Sequence, residues 1–265
     1  FRKDTTMFDD ISELLPDLRA LYEDLHRHPE LSFAEVRTAG IMAERLSALG
    51  YEVTTGVGVT GVVATLDNGP GPTVLLRGDI DALPVEEATG LPYASTAIGH
   101  DSDGNDVPVA HACGHDMHAT WLIGVATQLV THREAWSGKV MIVVQPAEEI
   151  GGGANAMIDD HLFERFGTPD VALGQHVTPA PAGWVLYRDG AVMTASDALK
   201  IVLHGRGAHG STPEQSVDPA VMAAATVLKL QTVVSRNIAA TDSAVVTVGT
   251  VHVGTSLVPR LVALG

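Results

Sequence analysis

Apolar and polar positions in the first fifty residues alternate with the period of an α-helix. Apolar side chains recur at spacings of three and four over residues 11–25, and the pattern stops before His28-Pro29. This spacing places the apolar side chains on one face and predicts an amphipathic helix. A second helical pattern covers about residues 34–49 and is closed by Gly50, because glycine commonly follows a helix C-terminus.

Beyond residue 50 the pattern changes to short runs rich in β-branched residues, which favour strands. These runs cover residues 51–55, 61–66 and 73–76. Further along, the chain shows a helical pattern after Gly114, an apolar strand at 140–144, a helix near 154–163 and a strand at 171–174. Strands that alternate with helices predict an α/β fold with a mostly parallel central sheet.

A different pattern begins near residue 196. It consists of a strand-like run at 198–203, a turn-rich segment at 205–213, a helix at about 219–234 and another strand at 244–251. This order predicts a small α+β unit appended to the first. We therefore expect one domain over residues 1–194 and a smaller one over 195–265.

Composition narrows the class of partner. The 265 residues carry 16 basic and 32 acidic side chains, a net charge of −16 with neutral histidines. A negative field of this size repels phosphate backbones and anionic lipid surfaces, so we expect neither nucleic acid nor a membrane as partner. The start of the chain has no apolar run long enough for a signal segment, and no run anywhere is long enough for a membrane span, which favours the cytoplasm. The single cysteine, Cys113, cannot form an internal disulfide.

Metal-ligating side chains are densest at residues 111–118, in the sequence HACGHDMH at the start of a predicted helix. One interpretation is an ordinary helix N-terminus, with Asp116 offsetting the helix dipole and Cys113 buried. The density favours metal binding instead, because a thiolate and an imidazole two residues apart can bind one ion or two adjacent ions.

Two more strand ends carry groups of the same kind. Glu148 and Glu149 follow the apolar strand at 140–144, and His176 ends the apolar run at 171–176. Each could be a plain loop residue when considered alone. Strand ends are nevertheless where α/β sheets hold their sites. Beside a metal cluster, one carboxylate of such a pair can bind metal while the other transfers a proton.

Six motifs follow one another along the chain. They are HPELSF at 28–33, RGDIDALP at 77–84, HACGHDMH at 111–118, QPAEE at 145–149, GQH at 174–176 and GRGAHGSTP at 205–213. In this order they resemble the M20 metallopeptidase family. The branch they resemble most comprises amidohydrolases related to hippurate hydrolase, bacterial N-acyl amino acid hydrolases and plant hydrolases of auxin conjugates.

The resemblance implies a zinc-aminopeptidase-like catalytic domain over 1–194 that binds two divalent ions. It also implies a lid domain over 195–265, through which such proteins commonly form homodimers. The implied metal ligands are Cys113, His115, Glu149 and His176.

Three further residues acquire implied catalytic roles. Glu148 matches the general base, His209 the lid histidine that reaches substrate, and Asp81 the acidic residue that supports a ligand from behind. Asp79 stands where other branches of the family carry a metal-binding histidine, and this branch uses Cys113 instead.

The implied reaction is hydrolysis of the amide bond of an N-acyl amino acid, or of a related small amide or short peptide-like substrate. Two ions would lower the pKa of a water molecule, and Glu148 would accept its proton. Zinc is the first candidate because a thiolate is among the ligands, with manganese, cobalt and nickel as alternatives.

The chain departs from the family pattern at its C-terminal end. Family members continue well beyond this length and return to complete the catalytic domain with a fifth ligand, a histidine, to which no residue here corresponds. In the tail only Val258-Pro259 match the family's run before an Ile-Pro-Asp motif. We therefore expect the C-terminal part of the catalytic domain to be missing from this chain.

Two alternatives to the hydrolase remain. A metal-binding or dimerising homologue without catalysis would also account for the missing ligand. The formal GxGxxG at residues 56–61 would suggest a dinucleotide-dependent oxidoreductase. That motif leads into the β-branched run at 61–66 rather than into the helix N-terminus that pyrophosphate binding requires, which argues against this alternative.

Overall fold

The computed structural model describes residues 10–190, 192 and 195–253. The chain divides into two compact units, Phe1–Trp184 and Val185–Gly265. The first unit contains the central sheet, and the second contains one long helix. The domain division between residues 194 and 195 stays a prediction.

Two helices open the first unit, as the apolar spacing predicts. They are α1, Ile11–Arg27, and α2, Val36–Ala48. In α1 the side chains of Leu21 and Leu25 are buried, whereas Ile11 and Leu15 are exposed. The inward face of α1 is therefore narrower than its apolar pattern suggests.

A five-stranded sheet forms the centre of the first unit, in the order β1-β2-β6-β3-β7. Its strands are β1, Glu52–Val57; β2, Gly61–Asp67; β3, Thr73–Asp79; β6, Lys139–Gln145; and β7, Val171–Gly174. A separate hairpin consists of β4, Ile98–His100, and β5, Asp106–Pro108. Strand β3 pairs in parallel with β6 and β7, whereas β2 is antiparallel to β1 and β6. Strands β1, β3, β6 and β7 thus run in one direction and β2 runs in the opposite one. This confirms the mostly parallel sheet.

The turn between β1 and β2 contains the GxGxxG motif. Val57 pairs with Gly61 across an antiparallel hairpin, so the glycines bend the chain back on itself. The motif does not open a helix, and this geometry leaves no pyrophosphate-binding turn at residues 56–61.

Helices cover both faces of the sheet and enclose its central strand. They are α3, His115–Thr131, on the face of α1 and α2, and α4, Gly153–Asp159, and α5, Leu162–Phe166, on the other face. Along β6, Ile142 packs with α1–α3 and Met141 packs with α4 and α5. The single helix predicted at 154–163 is two helices, because His161 adopts a left-handed φ of 61° between them.

The second unit is described over residues 185–190, 192 and 195–253. Helix α6, Pro219–Asn237, confirms the predicted helix, and Asp218 caps it by accepting hydrogen bonds from the N–H groups of Ala220 and Val221. The strands predicted at 198–203 and 244–251 are wrong for the described residues, which contain no strand there. β-branched content favours extended backbone, but a strand also requires a neighbour to accept and donate its hydrogen bonds.

No helix in the described part of the chain combines the length and the apolar character needed to cross a bilayer.

Candidate metal centre

The candidate metal ligands of the first unit lie together beyond the carboxyl ends of three parallel strands. Asp79 ends β3, Glu148 and Glu149 follow β6, and His176 follows β7. Because these strands are parallel, their carboxyl ends lie at one edge of the sheet. The N-terminus of α3 carries Cys113 and His115 to the same edge, as the distances below show.

Gly114 connects the loop that carries Cys113 to the first residue of α3. Its φ is 79°, in the left-handed region, and a Cβ atom there would lie 2.5 Å from Cγ2 of Val177. Both constraints favour glycine. The tight turn allows the side chains of Cys113 and His115 to approach the same cluster.

His115 is fully buried and its two ring nitrogens have different surroundings. Nδ1 lies 3.2 Å from Oδ1 of Asp81. Hydrogen bonds from His115 and Ser32 hold the pKa of Asp81 below its ordinary value, although burial opposes this shift. The ionised carboxylate can only accept, so Nδ1 of His115 carries the proton. Although burial opposes the shift, the hydrogen bond to Asp81 and the nearby carboxylates raise the pKa of His115. In the neutral ring Nε2 has the lone pair, and it has no hydrogen-bond partner among the described residues.

The second pair of candidate ligands comes from the loop before α3 and from the end of β7. Sγ of Cys113 lies 3.5 Å from Nε2 of His176. Nδ1 of His176 donates to the carbonyl oxygen of Val177 at 2.6 Å, which leaves the lone pair on Nε2. Burial, followed by the charge of Glu149, raises the pKa of the Cys113 thiol to about 12. A cation beside the sulfur would oppose this shift and favour the thiolate.

Glu148 and Glu149 are adjacent but differ in burial. Each places a carboxylate oxygen 3.7 Å from Nε2 of His115. The side chain of Glu148 is 38% exposed, whereas that of Glu149 is 15% exposed. Oε1 of Glu149 is buried without a hydrogen-bond partner among the described residues, and burial raises the pKa of Glu149. The more enclosed carboxylate is therefore the better candidate for a ligand.

A strained turn holds this pair. Ala147 is fully buried with a φ of 46°, a left-handed conformation that is uncommon for a residue with a side chain. Its carbonyl oxygen accepts hydrogen bonds from the N–H groups of Gly152 and Gly153 at 3.2 and 3.0 Å. At Gly153 a Cβ atom would lie 1.6 Å from the carbonyl oxygen of Pro146, so only glycine fits.

His118 lies one helical turn after His115, and its function was not deduced from the sequence. Nε2 of His118 accepts a hydrogen bond from the N–H of Val177 at 2.9 Å, so Nδ1 carries the proton and donates to Oδ1 of Asp79 at 2.5 Å. The other oxygen of Asp79 lies 2.6 Å from Nη1 of Arg77. Although burial opposes ionisation, these partners lower the pKa of Asp79 to about 2. The polar atoms of His118 and Asp79 therefore order the segments around the cluster.

A second buried polar network joins α1 to the N-terminal turn of α3. Nδ1 of His26 lies 2.6 Å from Oδ2 of Asp116, and Nε2 lies 3.1 Å from Oε1 of Glu87. The rings of Tyr22 and Tyr93 also contact the His26 ring. The hydrogen bond to Asp116 raises the pKa of His26 to about 9 despite burial, so His26 carries a positive charge at neutral pH.

The donor set is suited to divalent metal. Three groups within the cluster each hold their ligand atoms within 4.8 Å of one another. They are Cys113, His115 and His176; His115, Glu148 and Glu149; and Asp79, His115 and His118. The lone pairs on Nε2 of His115 and Oε1 of Glu149 lack partners among the described residues. Sulfur, nitrogen and oxygen donors together suit zinc and neighbouring transition metals.

His209 lies in the second unit, in an exposed turn. The N–H of Ser211 donates to Nδ1 of His209 at 3.2 Å, and the N–H of Thr212 donates to its carbonyl oxygen at 2.9 Å. Because Nδ1 accepts, the proton of the neutral ring lies on Nε2. The turn thus presents an N–H donor to its surroundings.

Comparison with known proteins identifies relatives of the chain. The family model described as peptidase family M20/M25/M40 matches residues 75–259. Hippurate hydrolase of Campylobacter jejuni is 40% identical over 250 residues, which cover 94% of this chain and 62% of that protein. N-acetyl-L-cysteine deacetylase of Bacillus subtilis is 38% identical over 248 residues, which cover 93% of this chain and 57% of that protein.

A solved structure shows the same fold. It is a Bacillus subtilis protein described as a dinuclear metal-binding peptidase of the M20 family, with 35% identity and a TM-score of 0.56 over 63% of this chain and 44% of that chain. The chain spans 62% and 57% of the two relatives, which is less than two thirds of their length.

Proposed function

Because the chain belongs to peptidase family M20/M25/M40, we propose that it functions in metal-dependent hydrolysis of the amide bond of an N-acyl amino acid or a related small amide. One observation carries the proposal. Four donor side chains, Cys113, His115, Glu149 and His176, lie at one edge of the sheet, and the lone pairs of His115 and Glu149 have no partner among the described residues.

These four residues would hold two divalent ions. His115 belongs to all three groups of donors, and its one available nitrogen, Nε2, would bind one of the two ions. Zinc is the first candidate because a thiolate is present, and manganese, cobalt and nickel also fit. When bound, such ions lower the pKa of water and polarise a carbonyl group.

Glu148 is proposed as the general base. Its carboxylate is close to the cluster yet more exposed than that of Glu149, so it can reach water and substrate at the surface of the site. In the proposed reaction Glu148 accepts a proton from the attacking water and returns it to the departing amine. Glu149 stays bound within the cluster.

His209 is proposed to stabilise the oxyanion that develops on the amide oxygen. Its Nδ1 accepts a hydrogen bond in its own turn, so Nε2 is available as a donor. A donor placed toward developing negative charge accelerates acyl transfer. By family resemblance, we propose that this histidine serves the site of a neighbouring subunit in a homodimer formed by the lid.

The relatives indicate the substrate class. Hippurate and N-acetyl-L-cysteine, in the names of the two relatives, are both N-acyl amino acids. A small acyl amino acid or a short peptide-like amide is therefore proposed as substrate. A cytoplasmic location also remains a prediction from the sequence.

A metal-binding homologue without turnover is the second candidate function. It rests on the same donor set, because ligand atoms grouped in this way support metal binding whether or not turnover follows.

A hydrolysis panel separates these two candidates. Acetyl, benzoyl, long-chain acyl and indole-acetyl amino acids would be supplied to the protein with and without a chelator, and metal content would be measured in parallel. Chelator-sensitive hydrolysis that returns on addition of divalent metal supports the hydrolase. Bound metal without turnover of any panel member supports the second candidate, and turnover by metal-free protein contradicts both.

A further inference from the structure

Glu35 is a fully buried carboxylate outside the cluster of candidate ligands. It immediately precedes α2 and is 0% exposed. One oxygen, Oε2, accepts from Oγ1 of Thr60 at 2.5 Å, and the other, Oε1, accepts from the N–H of Ala147 at 2.8 Å. Burial raises the pKa of Glu35. Burying a carboxyl group costs free energy unless the group is hydrogen-bonded. We therefore ask what each of the two contacts of Glu35 does.

The contact with Ala147 lies next to the reacting groups. Ala147 separates β6 from Glu148 and Glu149, and its φ of 46° turns the chain so that both carboxylates approach His115. A left-handed alanine is strained and persists only where its surroundings hold it. Its carbonyl oxygen is held by Gly152 and Gly153, and its N–H is held by Glu35.

The segment that contains Glu35 supports the cluster at a second point. Oγ of Ser32 donates to Oδ2 of Asp81 at 2.7 Å, and the same oxygen accepts from the N–H of Glu149 at 3.0 Å. Glu149 is therefore fixed from two directions. Asp81 accepts a hydrogen bond from the N–H of Glu149, and Glu35 accepts one from the N–H of Ala147, two residues earlier.

We propose that Glu35 is a positioning residue for the carboxylate pair: by holding the N–H of Ala147, it fixes the turn that directs Glu149 into the metal cluster and Glu148 beside it. The proposal deepens the metal site proposed above and rests on it. Glu35 acts because its side chain is long enough to accept the hydrogen bond from the N–H of Ala147. Its negative charge is not required.

Two conservative variants separate reach from charge. Glu35→Gln keeps the length of the side chain, so its amide oxygen can accept from Ala147 while its NH2 group donates to Thr60. Glu35→Asp keeps the carboxylate but shortens the side chain by one methylene, which withdraws it from Ala147. Both variants retain a polar group, but the shorter aspartate also withdraws from Oγ1 of Thr60.

The measurement is Zn²⁺ affinity of the purified protein, by competition with a chromogenic chelator at neutral pH. We expect Glu35→Gln to bind Zn²⁺ like the unaltered protein and Glu35→Asp to bind it about 10 to 100-fold more weakly, the range for losing support behind a ligand. Met42→Ala is the matched control. Met42 is a fully buried residue of α2 in the hydrophobic core, so this variant lowers stability without touching the turn.

Each outcome decides the proposal. Weakening in Glu35→Gln but not in Glu35→Asp would show that charge matters and would overturn it. Equal affinities in the two variants, whether both weakened or both unchanged, would show that the length of the side chain does not decide metal binding and would also overturn it. If Met42→Ala loses as much Zn²⁺ affinity as Glu35→Asp, the loss follows from lower thermal stability alone. That result would also overturn the proposal. If the unaltered protein binds no divalent metal, the proposed function fails and this inference fails with it.

Discussion

Oδ1 of Asp81 accepts a hydrogen bond from Nδ1 of His115 at 3.2 Å, and this contact decides which nitrogen of the imidazole has the lone pair. Both side chains are buried. The second oxygen of Asp81 accepts from Ser32 and from the N–H of Glu149. One carboxylate thus orients two candidate ligands that belong to different loops.

Asp81→Asn should lower metal affinity by about 10 to 100-fold, because the weaker acceptor no longer fixes the tautomer of His115 or holds Glu149. Zn²⁺ competition measures the change. Ser32→Ala, which removes one contact of Asp81 but leaves His115 untouched, is the control and should lose less. An Asp81→Asn protein with unchanged affinity would show that Asp81 does not orient the ligands.

Glu148→Gln should reduce kcat by roughly 100-fold to 10,000-fold, the range for losing a positioned acid or base, while metal content stays near that of the unaltered protein. Glu149→Gln should instead lower metal occupancy, since Oε1 of Glu149 is the more enclosed oxygen. Turnover and metal content of both variants check this. If the two variants exchange these phenotypes, the division of roles within the pair is wrong.

His209→Ala should retain fold and metal but lose most turnover, because a donor to the developing oxyanion is removed. Mixing it with Glu148→Gln should restore part of the activity in heterodimers, since one of the two sites would then combine an intact Glu148 with an intact His209. Ser211→Ala serves as control, because it perturbs the turn but keeps the histidine. No recovery, with subunit exchange confirmed independently, would contradict action between subunits.

The charged network around His26 should make stability depend on pH. The pKa of His26 is raised from 6.5 to about 9, chiefly by its hydrogen bond to Asp116, with Glu87 as second partner. The stabilisation from the charged ring is therefore full below pH 6.5 and is lost as pH rises through 9. Its other surroundings are Tyr22, Tyr93 and the neutral His111, whose pKa burial lowers to about 4.

Thermal unfolding between pH 6 and 10 tests this network. The Tm difference between the unaltered protein and His26→Gln should be largest near pH 6 and shrink toward pH 10. His100→Gln is the control, because His100 and its partner Asp106 are both exposed and their pair contributes little. A difference that stays constant with pH would show that the charge of His26 contributes nothing.

Much of the first unit could be predicted because its signals are local. Apolar spacing gave α1 and α2, and β-branched runs gave the sheet strands, although β3 extends three residues beyond the predicted 73–76 to include Asp79. Glu149 and His176 were found because they follow strand ends, and parallel strands bring their carboxyl ends together. Cys113 and His115 were found because ligand-type residues are dense at 111–118. The function of these residues as ligands stays a prediction.

The supporting residues could not be found in the same way. Glu35 contacts Ala147 at a separation of 112 residues, and His26 contacts Asp116 at a separation of 90. Such pairs depend on tertiary packing, and neither partner has a local pattern that indicates the other. The wrong strands of the second unit have a related cause, since strand pairing also depends on a partner that the segment itself does not specify.

The close approach at Gly153 has a consequence for natural and laboratory variation. Among the three consecutive glycines 151–153, Gly151 has open space at its Cβ position and a φ of 66°, so asparagine or aspartate is the best substitute there. Gly153 allows no substitute, because any side chain would overlap the carbonyl oxygen of Pro146 at 1.6 Å. In a saturation library selected for folded protein, position 153 should remain glycine while position 151 diversifies, so glycines adjacent in sequence should differ sharply in tolerance.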